Sequence, residues 1–279
     1  MDKKFMLFTR RSNIENKSMP RPGDGLIAYL LALVFLFTIG AYLQYTHPTG
    51  GIVATELVLA SIPIIYSLYI KADLKEVFQL RVPKLKYVFL ALGIYISGYV
   101  IILMVTAILI NVVPNSTEVV DSLNKALNFD GGLLFNILIT AGTPAICEEL
   151  LFRGFIFSAF KNVQTTKTSK KTAVALAILG SSILFGSLHY NLIRVIPTAI
   201  LGVLFAYSAY RAGSIYPAMM LHFINNSISV IAMQMMPDTV PDISLIFGGG
   251  YNIIGICFIL VSVMFYMVIE NVIEKNHVR

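Results

Sequence analysis

The chain has 279 residues, of which 57% are hydrophobic and 13% are charged, and its mean hydropathy is +0.77. This balance excludes an ordinary water-soluble domain, because such domains carry about a quarter charged residues. The net charge of +6 does not indicate a nucleic-acid partner, since the basic residues lie in short segments between apolar runs, where they set membrane orientation. We therefore expect a membrane protein that contacts lipid and binds no nucleic acid.

Eight apolar runs are long enough to cross a bilayer, since about 20 helical residues at 1.5 Å each span roughly 30 Å of hydrocarbon. The runs lie at about residues 26–44, 52–70, 87–113, 131–160, 173–190, 192–210, 212–236 and 250–269. The first run is too long for the apolar region of a cleavable signal, so we expect it to stay in the mature protein. The sequence predicts an all-α, polytopic membrane protein with about eight transmembrane helices.

Lysine and arginine residues are unevenly distributed between the segments that join these runs. Most of the 21 Lys and Arg residues lie before the first run and in every second segment after it, whereas the alternate segments keep Lys125 and Arg194. Because positive residues accumulate on the cytoplasmic side, this pattern predicts that both termini are cytoplasmic. We therefore expect a multi-pass protein of the cell membrane, with a basic tail over residues 1–25, one transmembrane domain over residues 26–270 and a short tail over residues 271–279.

The segment between the third and fourth runs contains a short amphipathic pattern. Ser116 or Thr117 is expected to cap a helix there. The apolar residues of that helix share one face and are Val119, Val120, Leu123 and Leu127. Such a helix is expected to lie along the outer membrane interface.

The fourth run contains a proline just before a cluster of charged residues. The run is about 30 residues long, or roughly 45 Å if straight, which exceeds the hydrocarbon thickness. We expect a break or kink near Pro144, because proline lacks the backbone N–H that continues a helix. A crossing that begins near residue 141 would place Glu148 near the middle of the membrane.

The charged cluster of the fourth run consists of Glu148, Glu149 and Arg153. Ionisable residues in hydrocarbon cost at least a few kcal/mol each on insertion scales, so their presence needs a reason. At 100° per residue, Glu149 and Arg153 share a helix face and can pair, while Glu148 points about a quarter turn away. The pattern therefore predicts one buried ion pair and one carboxylate left free for chemistry.

Two histidines and an amide occur in later runs. His189 follows Phe185 by one helical turn, and the intervening Gly186 and Ser187 allow a neighbouring helix to come close. In the seventh run His222 and Asn226 share a face. With Glu148, these groups suit hydrolysis, in which a carboxylate takes a proton from water, a histidine orients that water, and hydrogen-bond donors stabilise the oxyanion.

Metal ligation is a second interpretation of the same groups. Glu148, His189 and His222 make a set that can hold a hydrolytic zinc ion. The sequence has no His-Glu-x-x-His helix, so the zinc signature with both histidines on one helix is absent. We favour the carboxylate as base and leave a divalent metal open.

Three less specific hypotheses compete with hydrolysis. The acid and histidines can form a structural network that holds helices together, or a relay in a proton-coupled transporter. The chain can also be a non-catalytic membrane scaffold or immunity protein. The transporter hypothesis predicts internal symmetry, and no repeated half is seen in the sequence.

These residues resemble the CAAX protease and bacteriocin-processing family, also called Abi or type II CAAX prenyl endopeptidase-like proteins. The motif Glu-Glu-x-x-x-Arg matches Glu148, Glu149 and Arg153, the motif Phe-x-x-x-His matches Phe185 and His189, and the motif His-x-x-x-Asn matches His222 and Asn226. The resemblance covers about residues 87–236. It implies an intramembrane endopeptidase, often labelled a metalloprotease although a metal-free glutamate mechanism has also been proposed for the family.

The resemblance also implies roles for the matched residues. Glu148 and His189 would activate water, while His222 and Asn226 would stabilise the oxyanion, and the substrate would be a membrane-associated or lipidated peptide or protein. Two other polar residues have simpler interpretations. Glu56 is expected to pair with a backbone or hydroxyl group or to lie near the outer surface, and Arg194 to reach outward or to line the site entrance.

Overall fold

The computed structural model describes residues 18–162 and 169–235, and within these ranges the regular structure is helical with no strand. The helices, in chain order, are α1 Pro22–Thr46, α2 Pro48–Tyr69, α3 Leu74–Val77, α4 Leu85–Val112, α5 Ser116–Ala126, α6 Gly132–Lys161, α7 Lys170–Ser187, α8 Leu192–Ala212 and α9 Tyr216–Met235. The predicted all-α fold class is confirmed for this part of the chain.

Five of the described helices, α1, α2, α4, α6 and α8, are long and apolar enough to cross a membrane. The predicted fifth and seventh crossings correspond to α7 and α9, whose mean hydropathy is lowered by two lysines at the start of α7 and by a histidine and two asparagines in α9. The predicted eighth run, at 250–269, lies outside the described residues. The helices support a multi-pass protein, while the count of eight and the cytoplasmic position of both termini stay predictions.

Helix α6 runs through Pro144 without a break, so the break is the wrong one of the two expected alternatives, and a kink there stays a prediction. The backbone widens into π-helical turns on both sides of this region, at Leu138–Gly142 and at Leu150–Ile156. Such turns are common where a proline removes a hydrogen bond from the helical ladder. The missing donor is therefore accommodated by a local widening of α6 rather than by two separate helices.

Helix α5 begins at Ser116, but neither Ser116 nor Thr117 caps it. The cap is Asn115, which adopts the left-handed conformation with φ of 57° and makes no side-chain capping bond. The Ser116 hydroxyl instead donates to the carbonyl of Ile110 at 2.6 Å, back in α4. The predicted cap was wrong because this hydroxyl closes the α4–α5 turn. The position of α5 along the outer membrane interface stays a prediction.

The C-terminal third of α6 forms the centre of the core. Residues from Leu151 to Ala159 are almost completely inaccessible to solvent. Helices α1, α2, α7, α8 and α9 contribute residues to the cluster around this segment, which contains several aromatic rings. This packing places the charged residues of α6 against α9, which carries His222, and against α7, which ends two residues before His189.

Helices α7 and α8 pack closely where Gly186 faces α8. A Cβ atom at Gly186 would lie 2.5 Å from the carbonyl oxygen of Val195 and 2.8 Å from the Cβ of Ala199. These distances leave no room for a side chain, because a nonbonded carbon needs about 3.5 Å from its neighbours. The prediction that Gly186 permits a close helix approach is confirmed.

Candidate active site

The predicted ion pair of α6 is present and completely buried. Nη1 of Arg153 donates to Oε1 of Glu149 at 2.7 Å, and both side chains are 0% exposed. Nη2 of Arg153 donates to the carbonyl of Gly202 in α8 at 3.2 Å, and the guanidinium lies 4.1 Å from the ring centroid of Phe185 in α7. The pair therefore ties three helices together, and the i, i+4 prediction is confirmed.

Glu148 points away from this pair and lines a cavity of about 450 Å³. Its side chain is 12% exposed, whereas that of Glu149 is inaccessible. The polar residues that line the cavity are Gln44, Glu56, Asn124, Thr140, Glu148, His189, Arg194, Thr198, His222, Asn225, Asn226 and Ser229. The cavity therefore brings together Glu148, His189, His222 and Asn226, which come from three separate parts of the chain.

His222 of α9 lies between the two glutamates. Its Nδ1 atom is 2.9 Å from Oε1 of Glu149, and its Nε2 atom is 3.8 Å from Oε2 of Glu148. The ring also stacks on Phe205, with centroids 5.3 Å apart. Because the carboxylate of Glu149 accepts hydrogen bonds, Nδ1 of His222 carries a proton and Nε2 is the atom available on the cavity side.

His189 lies in the turn that joins α7 to α8, two residues beyond the end of α7. The sequence placed it inside the fifth crossing, which extended to residue 190. That boundary was wrong, since α7 ends at Ser187 and Asn191 caps α8 by accepting from the backbone N–H of Ile193 at 3.1 Å. Nδ1 of His189 lies 3.3 Å from the carbonyl oxygen of Phe185, so it carries the proton and leaves Nε2 as an acceptor.

Asn226 is held by the helix turn that contains Pro144. Its Nδ2 atom donates to the carbonyl of Thr140 at 3.2 Å. In a regular helix this carbonyl would accept from the N–H of residue 144, which proline lacks. Asn226 therefore satisfies an acceptor that Pro144 frees, and the second Nδ2 hydrogen remains for another partner.

Two further charged residues line the cavity. Glu56 is 7% exposed, and no hydrogen bond joins it to a backbone or hydroxyl group among the described residues, while its expected position near the outer membrane surface stays a prediction. Arg194 also lines the cavity, which was one of its two predicted positions. The sequence could have marked Glu56 as a site candidate, because it is an isolated acid within an apolar run. Which residues surround it, however, depends on how α2 packs against α6.

The arrangement of these side chains does not provide a metal centre. Within residues 18–162 and 169–235, no group of three His, Cys, Asp or Glu side chains is arranged to hold a metal ion. The possible zinc set of Glu148, His189 and His222 is therefore not arranged as a metal site in the described part of the chain.

The model of the Rce1-like family, described as type II CAAX prenyl endopeptidase Rce1-like, matches residues 130–228. The resemblance indicated by the three motifs is confirmed. The match begins before α6 and ends within α9, so it contains every motif residue and is narrower than the expected range of residues 87–236. No curated protein and no solved structure matches the chain. The Rce1-like match indicates a protease, and the five apolar helices indicate a multi-pass membrane protein.

Proposed function

We propose that this Rce1-like protein is an intramembrane endopeptidase of the cell membrane that hydrolyses a peptide bond in a membrane-associated or lipidated peptide or protein. The observation that carries the proposal is the convergence of Glu148, His189, His222 and Asn226 on one cavity. A purely structural role in holding helices together is already filled by the Glu149–Arg153 ion pair. The carboxylate of Glu148 and Nε2 of His189 are hydrogen-bond acceptors, and both residues line the cavity, where they can bind a water molecule.

The first step is attack of water on the peptide carbonyl carbon. Nε2 of His189 accepts a hydrogen bond from the water and orients it, while the carboxylate of Glu148 takes the other proton. The oxygen of water forms a bond to the carbon, and the carbonyl oxygen becomes an oxyanion. The C–N bond then breaks, and the proton held by Glu148 passes to the leaving amine.

The oxyanion requires hydrogen-bond donors that are already in place. Asn226 offers the Nδ2 hydrogen that Thr140 does not use. His222 donates from Nε2 when the ring carries a second proton, and the carboxylates of Glu149 and Glu148, at 2.9 and 3.8 Å, stabilise that imidazolium. The two donors lie one helical turn apart on α9.

Glu149 and Arg153 act as positioning residues in this scheme. Arg153 fixes the Glu149 carboxylate through a 2.7 Å contact, and Glu149 fixes the ring of His222. This chain of contacts resembles the general pattern in which a carboxylate orients a catalytic imidazole. The buried Glu149–Arg153 pair therefore links the packed part of α6 to His222 and so to the proposed reaction in the cavity.

A cleavage experiment tests the proposal. Membrane-associated peptides are compared between cells that produce the wild-type protein and cells that produce Glu148→Gln, and candidate substrates are then assayed with both purified proteins. We expect cleavage to fall by at least about a hundredfold in Glu148→Gln, while Glu118→Gln, an exposed acid on α5, retains activity. Assays with and without a chelator determine whether a divalent metal is required. Equal cleavage by wild type and Glu148→Gln would refute the proposed role of this glutamate.

A further inference from the structure

Glu56 is an acid in the cavity that the proposed reaction does not use. It lies on α2, is 7% exposed and lines the same cavity as Glu148. Its Oε2 atom is buried and has no hydrogen-bond partner among the described residues. A carboxyl group that is removed from water without a partner costs several kcal/mol, so a purely structural role does not account for it.

The charges around Glu56 favour a cation in the cavity. The charged neighbour that acts on Glu56 within the described chain is another acid, Glu148. Glu148 differs because His222, Arg153 and Arg194 also act on it, and Glu149 has its own partner in Arg153. Within the residues that the structure describes, no ion pair joins Glu56 to a cation. A positively charged group beside it would relieve the repulsion between the two carboxylates.

Gln44 of α1 supplies a second acceptor in the same cavity lining. Nε2 of Gln44 donates to Oγ1 of Thr55 at 3.2 Å, and the hydroxyl of Thr55 donates to the carbonyl of Gly51 at 2.6 Å. Because the Thr55 hydrogen is used by Gly51, its oxygen must accept from Gln44, which fixes the orientation of the amide. The Oε1 atom of Gln44 is therefore left as an acceptor in the lining that also contains Glu56.

We infer that Glu56 and the side-chain carbonyl of Gln44 form a subsite for an ammonium or guanidinium group of the substrate. Both groups are acceptors, and a lysine ammonium or an arginine guanidinium has only donors. Since Glu56 lies in the same cavity as Glu148, the cation belongs to a residue near the scissile bond. The protein therefore selects peptides that carry lysine or arginine there, an inference that rests on the proposed peptidase function.

Paired peptides test this subsite with the full-length protein in detergent micelles. Prenylated synthetic peptides are prepared with lysine at one position near the scissile bond, or with norleucine, which keeps the alkyl chain and lacks the ammonium. We expect the wild-type protein to prefer the lysine peptide by at least about tenfold in kcat/KM. Glu56→Gln should lose this preference, so that its kcat/KM values for the two peptides become equal, while the control Glu118→Gln keeps the preference.

The outcomes separate this inference from the proposed function. If the wild-type protein cleaves both peptides equally, or if Glu56→Gln slows both equally, the subsite is refuted and the peptidase proposal stands. If the wild-type protein cleaves neither, these prenylated peptides are not its substrates, and binding decides the subsite. Fluorescent lysine peptide should then bind Glu148→Gln at least about tenfold more tightly than the norleucine peptide, and the added Glu56→Gln substitution should remove that difference. Equal binding of both peptides would overturn the inference.

Discussion

Nδ1 of His222 lies 2.9 Å from Oε1 of Glu149, the same oxygen that accepts from Nη1 of Arg153 at 2.7 Å. One carboxylate oxygen thus joins a structural ion pair to a residue of the proposed reaction. The neighbouring Glu148 faces the cavity instead and lies 3.8 Å from the other nitrogen of the same ring. The two adjacent glutamates therefore have different expected roles, one in stability and positioning and the other in chemistry.

Glu149→Gln should destabilise the fold. The substitution leaves the guanidinium of Arg153 buried without an anionic partner, and the loss of one member of a buried pair costs about 3 kcal/mol or more. We expect a clearly lower midpoint of thermal unfolding in detergent for this variant. Glu148→Gln serves as the matched control, since it changes the same atoms one residue earlier and should keep the wild-type midpoint. Equal midpoints for the two variants would contradict the structural role of Glu149.

His222→Asn should separate positioning from chemistry. The asparagine amide can still donate to Glu149 in place of Nδ1, but it has no counterpart of Nε2. We expect nearly unchanged thermal stability and a loss of cleavage of about a hundredfold, the magnitude that is typical when an oxyanion donor is removed. His222→Ala removes both contacts and should lose stability as well. Retained cleavage by His222→Asn would show that Nε2 has no part in the reaction.

Pro144→Ala should impair cleavage without harming the fold. Alanine restores the N–H that can bond to the carbonyl of Thr140, and this donor then competes with Asn226 for the acceptor. We expect at least about a tenfold fall in kcat, because Asn226 is no longer held as an oxyanion donor, with equal or higher thermal stability. Pro63→Ala, which changes another proline inside a helix, is the control. Identical kinetics for both variants would argue that the Thr140 contact does not position Asn226.

Gly186→Ala should push α7 away from α8. The new Cβ would meet backbone atoms, the Val195 carbonyl oxygen at 2.5 Å and the Ala199 nitrogen at 2.9 Å, which cannot rotate aside as a flexible side chain does. We expect a loss of about 1–3 kcal/mol in stability and a loss of cleavage, because His189 follows three residues later. Gly50→Ala, in α2 with no neighbouring atom within 4 Å, should leave both properties nearly unchanged. A fully active Gly186→Ala would show that the helix contact does not position His189.

Several local features of the site could be predicted because helix geometry alone determines them. The Glu149–Arg153 pair follows from the angle between residues four apart, which is the same in any helix. The close contact at Gly186 follows from the absence of a side chain. The three motifs further indicated a resemblance to type II CAAX prenyl endopeptidase-like proteins before any packing was known, and the family match over residues 130–228 confirmed that resemblance.

Other features could not be predicted because they depend on residues that are far apart in sequence. The amphipathic pattern after α4 indicated α5, but a hydroxyl bond back to Ile110 determined its actual start. The proline in α6 suggested a break or kink; the helix is continuous, and widened turns and an amide from α9 compensate for the missing donor. Each of these outcomes depends on a partner that only the folded chain supplies.

The sequence by itself determined that this is a helical membrane protein and which side chains are candidates for the reaction, because hydropathy, helical angles and motif spacing are local properties. The tertiary structure decided which of those side chains meet. It placed His222 against both glutamates, His189 beyond the end of its helix, and Glu56 in the same cavity as Glu148. These relationships arise from the packing of helices that are distant along the chain, and periodicity within one helix carries no information about its neighbours.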